Sequence, residues 1–188
     1  MRPRTVVAIC GLPTSGKTTL ARELSTITGL HYVDCDKGPA GCTVPPAPNP
    51  YASDDGKKRE RARMTVVYKV LHAAVEANLR EDFSLIIVAT YSRHSSQDSL
   101  GDAVRRGGGV LKLVLCEYED TPDEIERRIA ARINDSRYSG GCRSVSHYLA
   151  DKERYEGIKF PHIVVRMERS EEAKITAIKQ VTAYLDQE

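Results

Sequence analysis

The sequence has almost no excess of charge of either sign. Its 28 lysines and arginines stand against 26 aspartates and glutamates, which gives a formal net charge of +2. This balance provides no overall attraction to nucleic acid or to a membrane surface, although it is compatible with a local basic patch. The apolar stretch near the start of the chain, Val6–Cys10, is far too short for a secretory signal or a membrane span. We therefore expect a cytoplasmic protein with no membrane partner.

Cysteines are few and do not form a recognisable framework. There are five, and no two of them are spaced as CxxC. Cys10 and Cys116 lie inside apolar runs, where a free thiol is an ordinary small core residue. The pattern favours reduced thiols in a reducing compartment over disulfides or a zinc site.

Length and composition are those of one soluble globular domain. The chain has 188 residues, of which 29% are charged and 40% hydrophobic. This length is sufficient for a hydrophobic core without disulfides or metals to hold it. We predict a single domain over residues 1–188.

Short apolar runs alternate along the chain with amphipathic stripes. Strands are predicted at Thr5–Cys10, His31–Asp34, Ser84–Ala89, Val110–Cys116 and Pro161–Met167. Helices are predicted at Lys17–Thr28, Lys57–Arg80, Gln97–Arg106, from Pro122 after a Thr121 cap, Ser144–Glu156 and Ser170–Leu185. This alternation predicts an α/β fold with a five-stranded, mostly parallel sheet and helices on both faces.

Two stretches fit no periodic element. Residues 37–56 carry five of the nine prolines, and so long a loop is usually either functional or disordered, which the sequence leaves open. The charge run that follows, Lys57–Arg63, is either a solvated helix face or a patch that faces phosphate. Residues 134–143 are polar and contain two glycines, so we predict a loop that acts as a lid.

The chemistry is carried by the eight residues GLPTSGKT at 11–18, which match GxxxxGK[ST] between a predicted strand and a predicted helix. Gly11 and Gly16 allow a tight turn close to an anion, and the N–H groups at the helix start bind phosphate oxygens. Lys17 supplies positive charge to the β- and γ-phosphates, and Thr18 supplies a hydroxyl to Mg²⁺. The predicted ATP-binding residues are Gly11, Leu12, Pro13, Thr14, Ser15, Gly16, Lys17, Thr18 and Thr19, with Thr18 as the metal ligand.

Other classes of phosphate-loop protein fit less well. A GTPase needs an NKxD guanine motif, which is absent, and the DxxG at Asp98–Gly101 lies inside a predicted helix. An AAA+ or helicase motor needs a longer chain with sensor elements. A small one-domain protein with this loop most often transfers a phosphoryl group to a small acceptor.

Four segments in order resemble the small P-loop kinases of the polynucleotide-kinase and zeta-toxin-like group. They are GLPTSGKTTLA, YVDCD, VATYSR and EIERRIAAR. The resemblance runs nearly end to end, although only the first motif is specific alone. It implies a P-loop NTPase three-layer sandwich with a five-stranded parallel sheet and a mobile lid. It also implies transfer of the ATP γ-phosphoryl group to a hydroxyl.

One position departs from that group. Strand three usually ends there in an aspartate that orients Mg²⁺ through water, whereas this chain has Val88. Either Asp34 or Asp36 takes that role, or Thr90 does so weakly, or metal binding is impaired.

Asp34 and Asp36 follow the second predicted strand two residues apart, so both lie on one face. They also lie at the carboxyl end of that strand, where α/β sheets bind ligands. One carboxylate can accept the proton of an acceptor hydroxyl while the other holds magnesium-bound water. Asp36 aligns better with the acidic site of the resembling group, which makes it our first choice as the base.

Arginines complete the predicted site. Arg128 and Arg132 share one helix face, where their guanidinium groups suit the charge on a transferring phosphoryl group. Arg137 and Arg143 lie on the predicted lid, and Arg93 follows the third strand into the same crevice.

We therefore expect an ATP- and magnesium-dependent kinase whose acceptor is a hydroxyl of a small molecule or of a nucleic-acid 5′ end. The weak net charge favours the small molecule. The alternative is a regulatory or interaction module that binds ATP and seldom turns it over.

Overall fold

The computed structural model describes residues 4–37, 53–118, 121–133, 142, 144–168 and 170–187. Within these ranges, strands and helices alternate. The strands are β1 (Thr5–Cys10), β2 (Tyr32–Asp34), β3 (Leu85–Val88), β4 (Val110–Glu117) and β5 (His162–Arg166). The helices are α1 (Lys17–Thr28), α2 (Asp54–Arg80), α3 (His94–Arg106), α4 (Pro122–Ile133), α5 (Val145–Glu153) and α6 (Glu171–Leu185). A 3₁₀ turn, Cys35–Lys37, directly follows β2.

The described strands form one five-stranded sheet in the order β2-β3-β1-β4-β5, with every neighbouring pair parallel. In the centre, Ile9 of β1 pairs with Val88 on one side and Val114 on the other. Because parallel strands end at the same edge, the segments after β1, β2 and β3 come together there. The predicted α/β architecture is confirmed.

Alternate residues of β1 face opposite layers of helices. Val6 and Ala8 pack in a cluster with α2 and α3, whereas Val7 and Ile9 pack in a cluster with α1 and α6. All four are fully buried, and each buried valine or isoleucine side chain contributes about 1.5–3 kcal/mol. This two-sided burial explains why the strands are continuous apolar runs.

Helix α2 begins at Asp54, three residues before the predicted start. The Ser53 hydroxyl accepts the N–H of Gly56 at 3.1 Å, and Asp54 and Asp55 occupy the first turn. A serine cap followed by two acids is a strong helix start. The loop predicted over residues 37–56 therefore ends before this turn.

Two further helix boundaries differ because a contact from outside the helix sets them. Helix α3 begins at His94 rather than at Gln97, since the Glu156 carboxylate accepts the His94 N–H at 2.7 Å. Helix α5 ends at Glu153, before the predicted Glu156, whose own N–H donates to the carbonyl of Ser92 at 2.9 Å. One segment therefore caps α3 instead of extending α5.

Most of the proline-rich stretch, 38–52, and most of the predicted lid, 134–141 and 143, lie outside the described residues. The predictions made for them stay predictions. Among the described helices, none combines the length and the apolar character that a membrane crossing requires.

Candidate functional site

The loop between β1 and α1 adopts a backbone that most residues avoid. Gly11 (φ 131°), Thr14 (φ 67°) and Gly16 (φ 91°) all have positive φ. A Cβ on Gly16 would stand 2.8 Å from the Cβ of Met167, so this position requires glycine for space as well as for conformation. The loop thereby wraps around the amino end of α1, where helix N–H groups and the helix dipole favour an anion.

Lys17 is buried inside this loop. Its Nζ donates to the carbonyl of Leu12 at 2.6 Å, and its side chain is 9% exposed. Burial lowers the pKa of Lys17, the Arg132 guanidinium lowers it further, and the Asp36 carboxylate opposes both effects. A polyanion would stabilise the charged ammonium that burial disfavours.

A second buried polar group of the loop, unlike Lys17, has no hydrogen-bond partner among the described residues. The Ser15 hydroxyl is buried and makes no hydrogen bond to any described residue. Buried hydroxyls are normally satisfied, so this one has room for a partner from outside the protein. Together with the buried lysine, it fits the requirements of a phosphate group.

Thr18 contacts the acid that ends β2. Its Oγ1 donates to Oδ2 of Asp34 at 2.9 Å, while Oδ1 of Asp34 accepts the N–H of Asp36 at 3.0 Å. Burial raises the pKa of Asp34, and the neighbouring Asp36 charge adds to this, against the hydrogen bonds from Thr18 and the Asp36 N–H. A nearby cation would favour the ionised carboxylate.

The same contact explains the valine that ends β3. Asp34 pairs with Val88 in the register of the sheet, so a carboxylate stands one strand away from the position where strand three would carry one. Val88 itself is 1% exposed and packs in the core. Ligand atoms of Asp34, Cys35 and Asp36 all lie within 4.8 Å of one another. Oxygen ligands of this kind suit Mg²⁺, for which Thr18 and Asp34 are the matched pair.

Asp36 lies between the phosphate loop and α4. Its Oδ2 stands 3.9 Å from a terminal nitrogen of Arg132, and its side chain is 35% exposed. Burial lowers the pKa of Arg132, and the Asp36 carboxylate is the first of the groups that oppose this. Lys17 and Arg132 therefore flank one half-exposed carboxylate at the carboxyl edge of the sheet.

Arg128 supports the loop from outside. Its guanidinium donates to the carbonyls of Thr14 and Met167, each at 3.0 Å, and to Glu124 at 2.6 Å. The guanidinium also lies 4.1 Å from the ring centroid of Tyr118, whose hydroxyl is 2.9 Å from Oγ1 of Thr14. The strained Thr14 is therefore held through both its carbonyl and its side chain.

The turn after β3 is held just as firmly. Tyr91 has a positive φ of 49° and is fully buried. Its N–H donates to the Tyr68 hydroxyl at 3.3 Å, its carbonyl accepts from Gln97 at 3.0 Å, and its own hydroxyl lies 3.2 Å from Nε2 of His72. Each polar group of Tyr91 thus has a side-chain partner from α2 or α3, which offsets the backbone strain.

Arg93 leaves the same turn and pairs with Glu156. Its terminal nitrogen lies 2.6 Å from the carboxylate, and both side chains are at least one-third exposed. This pair joins the start of α3 to the segment after α5. A contact between Arg93 and an acceptor stays a prediction.

A family model described as an AAA domain matches residues 6–142. This match spans most of the chain and includes the phosphate loop, both acids and α4. The chain belongs to the AAA domain family. A search of curated proteins found none that matches it.

Solved structures with the same fold as this AAA-domain chain carry kinase names. A candidate kinase from Chloroflexus aurantiacus is 17% identical, with a TM-score of 0.70 over 98% of this chain and 97% of that one. A sugar kinase from Janibacter sp. is 19% identical, with a TM-score of 0.65 over 98% and 95%. The APS kinase CysC of Mycobacterium tuberculosis, solved with AMPPNP and APS, is 17% identical, with a TM-score of 0.61 over the full length of both chains. The AAA-domain protein thus has the α/β P-loop NTPase fold of these structures.

The remaining predicted residues of this AAA-domain protein are distributed as follows. Pro13 is buried and Thr19 is half-buried, while Leu12 packs against the cluster formed by α4 and α5. Arg137 and Arg143 lie outside the described residues.

Sequence reasoning missed the residues that hold the two strained turns. Tyr118 follows β4 and Tyr91 follows β3, so each lies at the carboxyl edge where ligands bind, and that position was the available signal. His72 and Gln97 carried no such signal, because helix periodicity alone marks their positions as core.

Proposed function

We propose that this protein is an ATP-dependent kinase that transfers the γ-phosphoryl group to a hydroxyl of a small molecule. The observation that carries the proposal is the position of Asp36, half-exposed between Lys17 and Arg132. A module that only binds nucleotide needs the loop, whereas phosphoryl transfer also needs a base and a second cation across from it.

The phosphate loop would hold the triphosphate of ATP. Gly11–Gly16 would supply main-chain N–H groups, Lys17 would exchange the Leu12 carbonyl for phosphate oxygens, and the buried Ser15 hydroxyl would gain a partner. The hydroxyl of Thr18 and the Asp34 carboxylate would hold Mg²⁺. When bound there, Mg²⁺ would neutralise charge on the transferring phosphate.

Asp36 would act as the base. Its carboxylate accepts the proton of the acceptor hydroxyl as that oxygen forms a bond to the γ-phosphorus. The bond between the γ-phosphorus and the bridging oxygen breaks, and ADP leaves with the electron pair. Lys17 and Arg132 stabilise the charge that spreads over the phosphoryl oxygens. Asp34 keeps Thr18 oriented, so the valine at the end of β3 is compatible with catalysis.

The described cysteines are consistent with a reducing compartment. Cys10, Cys35, Cys116 and Cys142 are all free and buried, and burial raises the pKa of each thiol. Thiols of this kind react slowly. We propose that the enzyme works in the cytoplasm on a small-molecule acceptor, as the names of the sugar kinase and the APS kinase suggest for proteins of this fold.

The test follows γ-labelled ATP in the presence of Mg²⁺ and pooled hydroxyl compounds. We expect label transfer by the native chain, and loss of transfer with retained ATP binding in Asp36→Asn. Asp82→Asn is the matched control, because Asp82 is an exposed acid at the opposite edge of the sheet with 68% of its side chain accessible. Absence of transfer to every pool by a chain that binds ATP would defeat the kinase.

That last outcome is the one expected of a regulatory module that binds ATP and seldom turns it over. Val88 is the observation that favours this second candidate, because β3 brings no carboxylate to the metal. The module predicts that Lys17→Ala abolishes a partner interaction while the native chain releases no phosphate.

A further inference from the structure

The first turns of α2 carry an ion pair that the helix itself does not require. Arg63 donates to both carboxylate oxygens of Glu60, from Nε at 2.9 Å and from a terminal nitrogen at 2.7 Å. The two side chains are only 12% and 14% exposed. Burying such a pair costs desolvation that its attraction seldom recovers.

The rest of the same charge run behaves differently. Lys57, Lys58, Arg59 and Arg61 all face solvent. Lys57 makes an ion pair of the same i,i+3 spacing with Asp54, whose side chain is 88% exposed. Most of the run is therefore a solvated face, and only Glu60 and Arg63 turn inward.

The pair turns toward the proposed base. The Asp36 carboxylate is among the groups that raise the pKa of Arg63, after its hydrogen bond to Glu60. On α5, burial lowers the pKa of His147, and Glu60 and Asp36 are among the acids that oppose this. Met64, next to Arg63, packs against the cluster that contains Cys35, the neighbour of Asp36. The pair therefore lies on the side of α2 that faces the turn with Asp36.

The pair offers both kinds of hydrogen-bonding atom at once. A carboxylate has about four acceptor positions and a guanidinium has five N–H donors. Two of the Arg63 nitrogens serve Glu60, and one of these also donates to the sulfur of Met64 at 3.2 Å. Among the described residues, nothing accepts a hydrogen bond from the third nitrogen of Arg63. Its N–H donors therefore lie next to the acceptor positions of the Glu60 carboxylate.

We propose that Glu60 and Arg63 bind the acceptor and select a neutral polyol, such as a sugar or a sugar alcohol. This inference rests on the kinase proposed above. Each hydroxyl donates and accepts, so neighbouring hydroxyls can donate to Glu60 and accept from Arg63 together. A carboxylate or phosphate group on the acceptor only accepts, so it can pair with Arg63 but leaves the Glu60 carboxylate facing a like charge and without a donor.

Helix α5, on the other side of this pair, also carries charges of both signs. On α5, Asp151 lies 2.6 Å from Arg154 and 3.5 Å from His147. Asp151 and Arg154 bring one charge of each sign, and burial lowers the pKa of His147. Both walls thus carry paired charges of opposite sign, which suits a neutral ligand that both donates and accepts hydrogen bonds.

The test measures binding by saturation-transfer NMR, with the full chain, ADP and Mg²⁺. The panel pairs neutral polyols (glucose, ribose, glycerol, inositol) with acidic ones (gluconate, glycerate, ribose 5-phosphate). We expect the native chain to bind a neutral member in preference to every acid. We expect Glu60→Gln to weaken that binding by about 10-fold or more and to narrow or reverse the discrimination against acids.

Two variants separate selection from folding. Arg63→Lys keeps the charge but loses the fork, so it should weaken polyol binding while acids stay excluded. Asp102→Asn neutralises the acid of an exposed pair with Arg105 on α3 and should change neither. Preference of the native chain for an acid, equal weakening of both classes in Glu60→Gln, or no binding by any member overturns the inference.

Different outcomes would overturn the kinase and the selection of polyols. Label transfer to an acidic acceptor sustains the kinase and overturns the selection of polyols. Selective polyol binding without any transfer sustains the selection and overturns the kinase.

Discussion

The phosphate loop takes its groups from one contiguous stretch, Gly11–Thr18, whereas the facing wall takes Asp36, Glu60, Arg63 and Arg132 from three separate elements. In the loop, main-chain atoms and a helix terminus do most of the binding, so a few residue types at fixed spacing suffice. On the facing wall, side chains meet only because the sheet brings their elements to one edge. A sequence motif therefore predicts the phosphate loop, which binds any nucleoside triphosphate. No motif predicts the facing wall, which determines the acceptor.

The largest effect expected lies on the contiguous side. Lys17→Ala should lower phosphoryl transfer at least about 100-fold, because it removes a buried cation aimed at the transferring group. Calorimetry with ATP and Mg²⁺ should record a matching loss of nucleotide binding. Lys58→Ala, an exposed lysine of α2, should behave like the native chain. Unchanged ATP affinity in Lys17→Ala would contradict the assignment of nucleotide binding to the phosphate loop.

The next effect separates the roles of Asp34, which contacts the phosphate loop, and Asp36, which belongs to the facing wall. Asp34→Asn should raise the magnesium concentration needed for half-maximal nucleotide binding by about 10- to 100-fold, since it neutralises the acid that holds Thr18. Asp36→Asn should leave that magnesium response intact while transfer is lost. An identical response in both variants would mean that the two acids share one role.

How far the sequence predicts this site follows from the same contrast. The loop, the five strands and the two acids at the carboxyl end of β2 were all predicted, because each rests on local pattern. The start of α3 was not, because a carboxylate 62 residues away caps it. The role of Arg128 toward phosphate stays a prediction, and no periodicity reveals that its guanidinium donates to Thr14, Met167 and Glu124.

The next prediction concerns stability, at the turn after β3, where side chains from separate elements meet. Gln97→Leu removes the side chain that donates to the carbonyls of Tyr91 and Gly157 and accepts the N–H of Lys159. We expect the free energy of unfolding to fall by about 2–4 kcal/mol, because buried main-chain groups lose their partners. Ser95→Ala, exposed two residues earlier, should cost little. Denaturant unfolding measures both, and an equal loss in the two variants would contradict the assignment.

The smallest effect concerns pH. Burial lowers the pKa of His72 from 6.5 to about 4, with Arg106 contributing. The unfolded chain therefore binds more protons than the folded chain between these values. The stabilisation is complete above about pH 6.5 and is lost as the pH falls toward 4, by up to about 1.4 kcal/mol per pH unit.

His72→Asn should flatten that part of the stability curve, measured by denaturant unfolding at pH 5 and pH 7. Ser99 and Tyr91 would lose their imidazole partner, so the variant is compared by slope and not by absolute stability. A slope equal to that of the native chain would show that His72 does not titrate across folding.

The central place of β1 has a consequence for synthesis of the chain. Its residues 5–10 leave the ribosome long before residues 85–88 of β3 and 110–115 of β4, the strands between which they are paired. At about 5–20 residues per second, roughly 4–16 seconds separate the end of β1 from the end of β3. Throughout that interval the apolar segment of β1 has neither of its neighbours in the sheet, so its unpaired backbone groups and apolar side chains are open to aggregation.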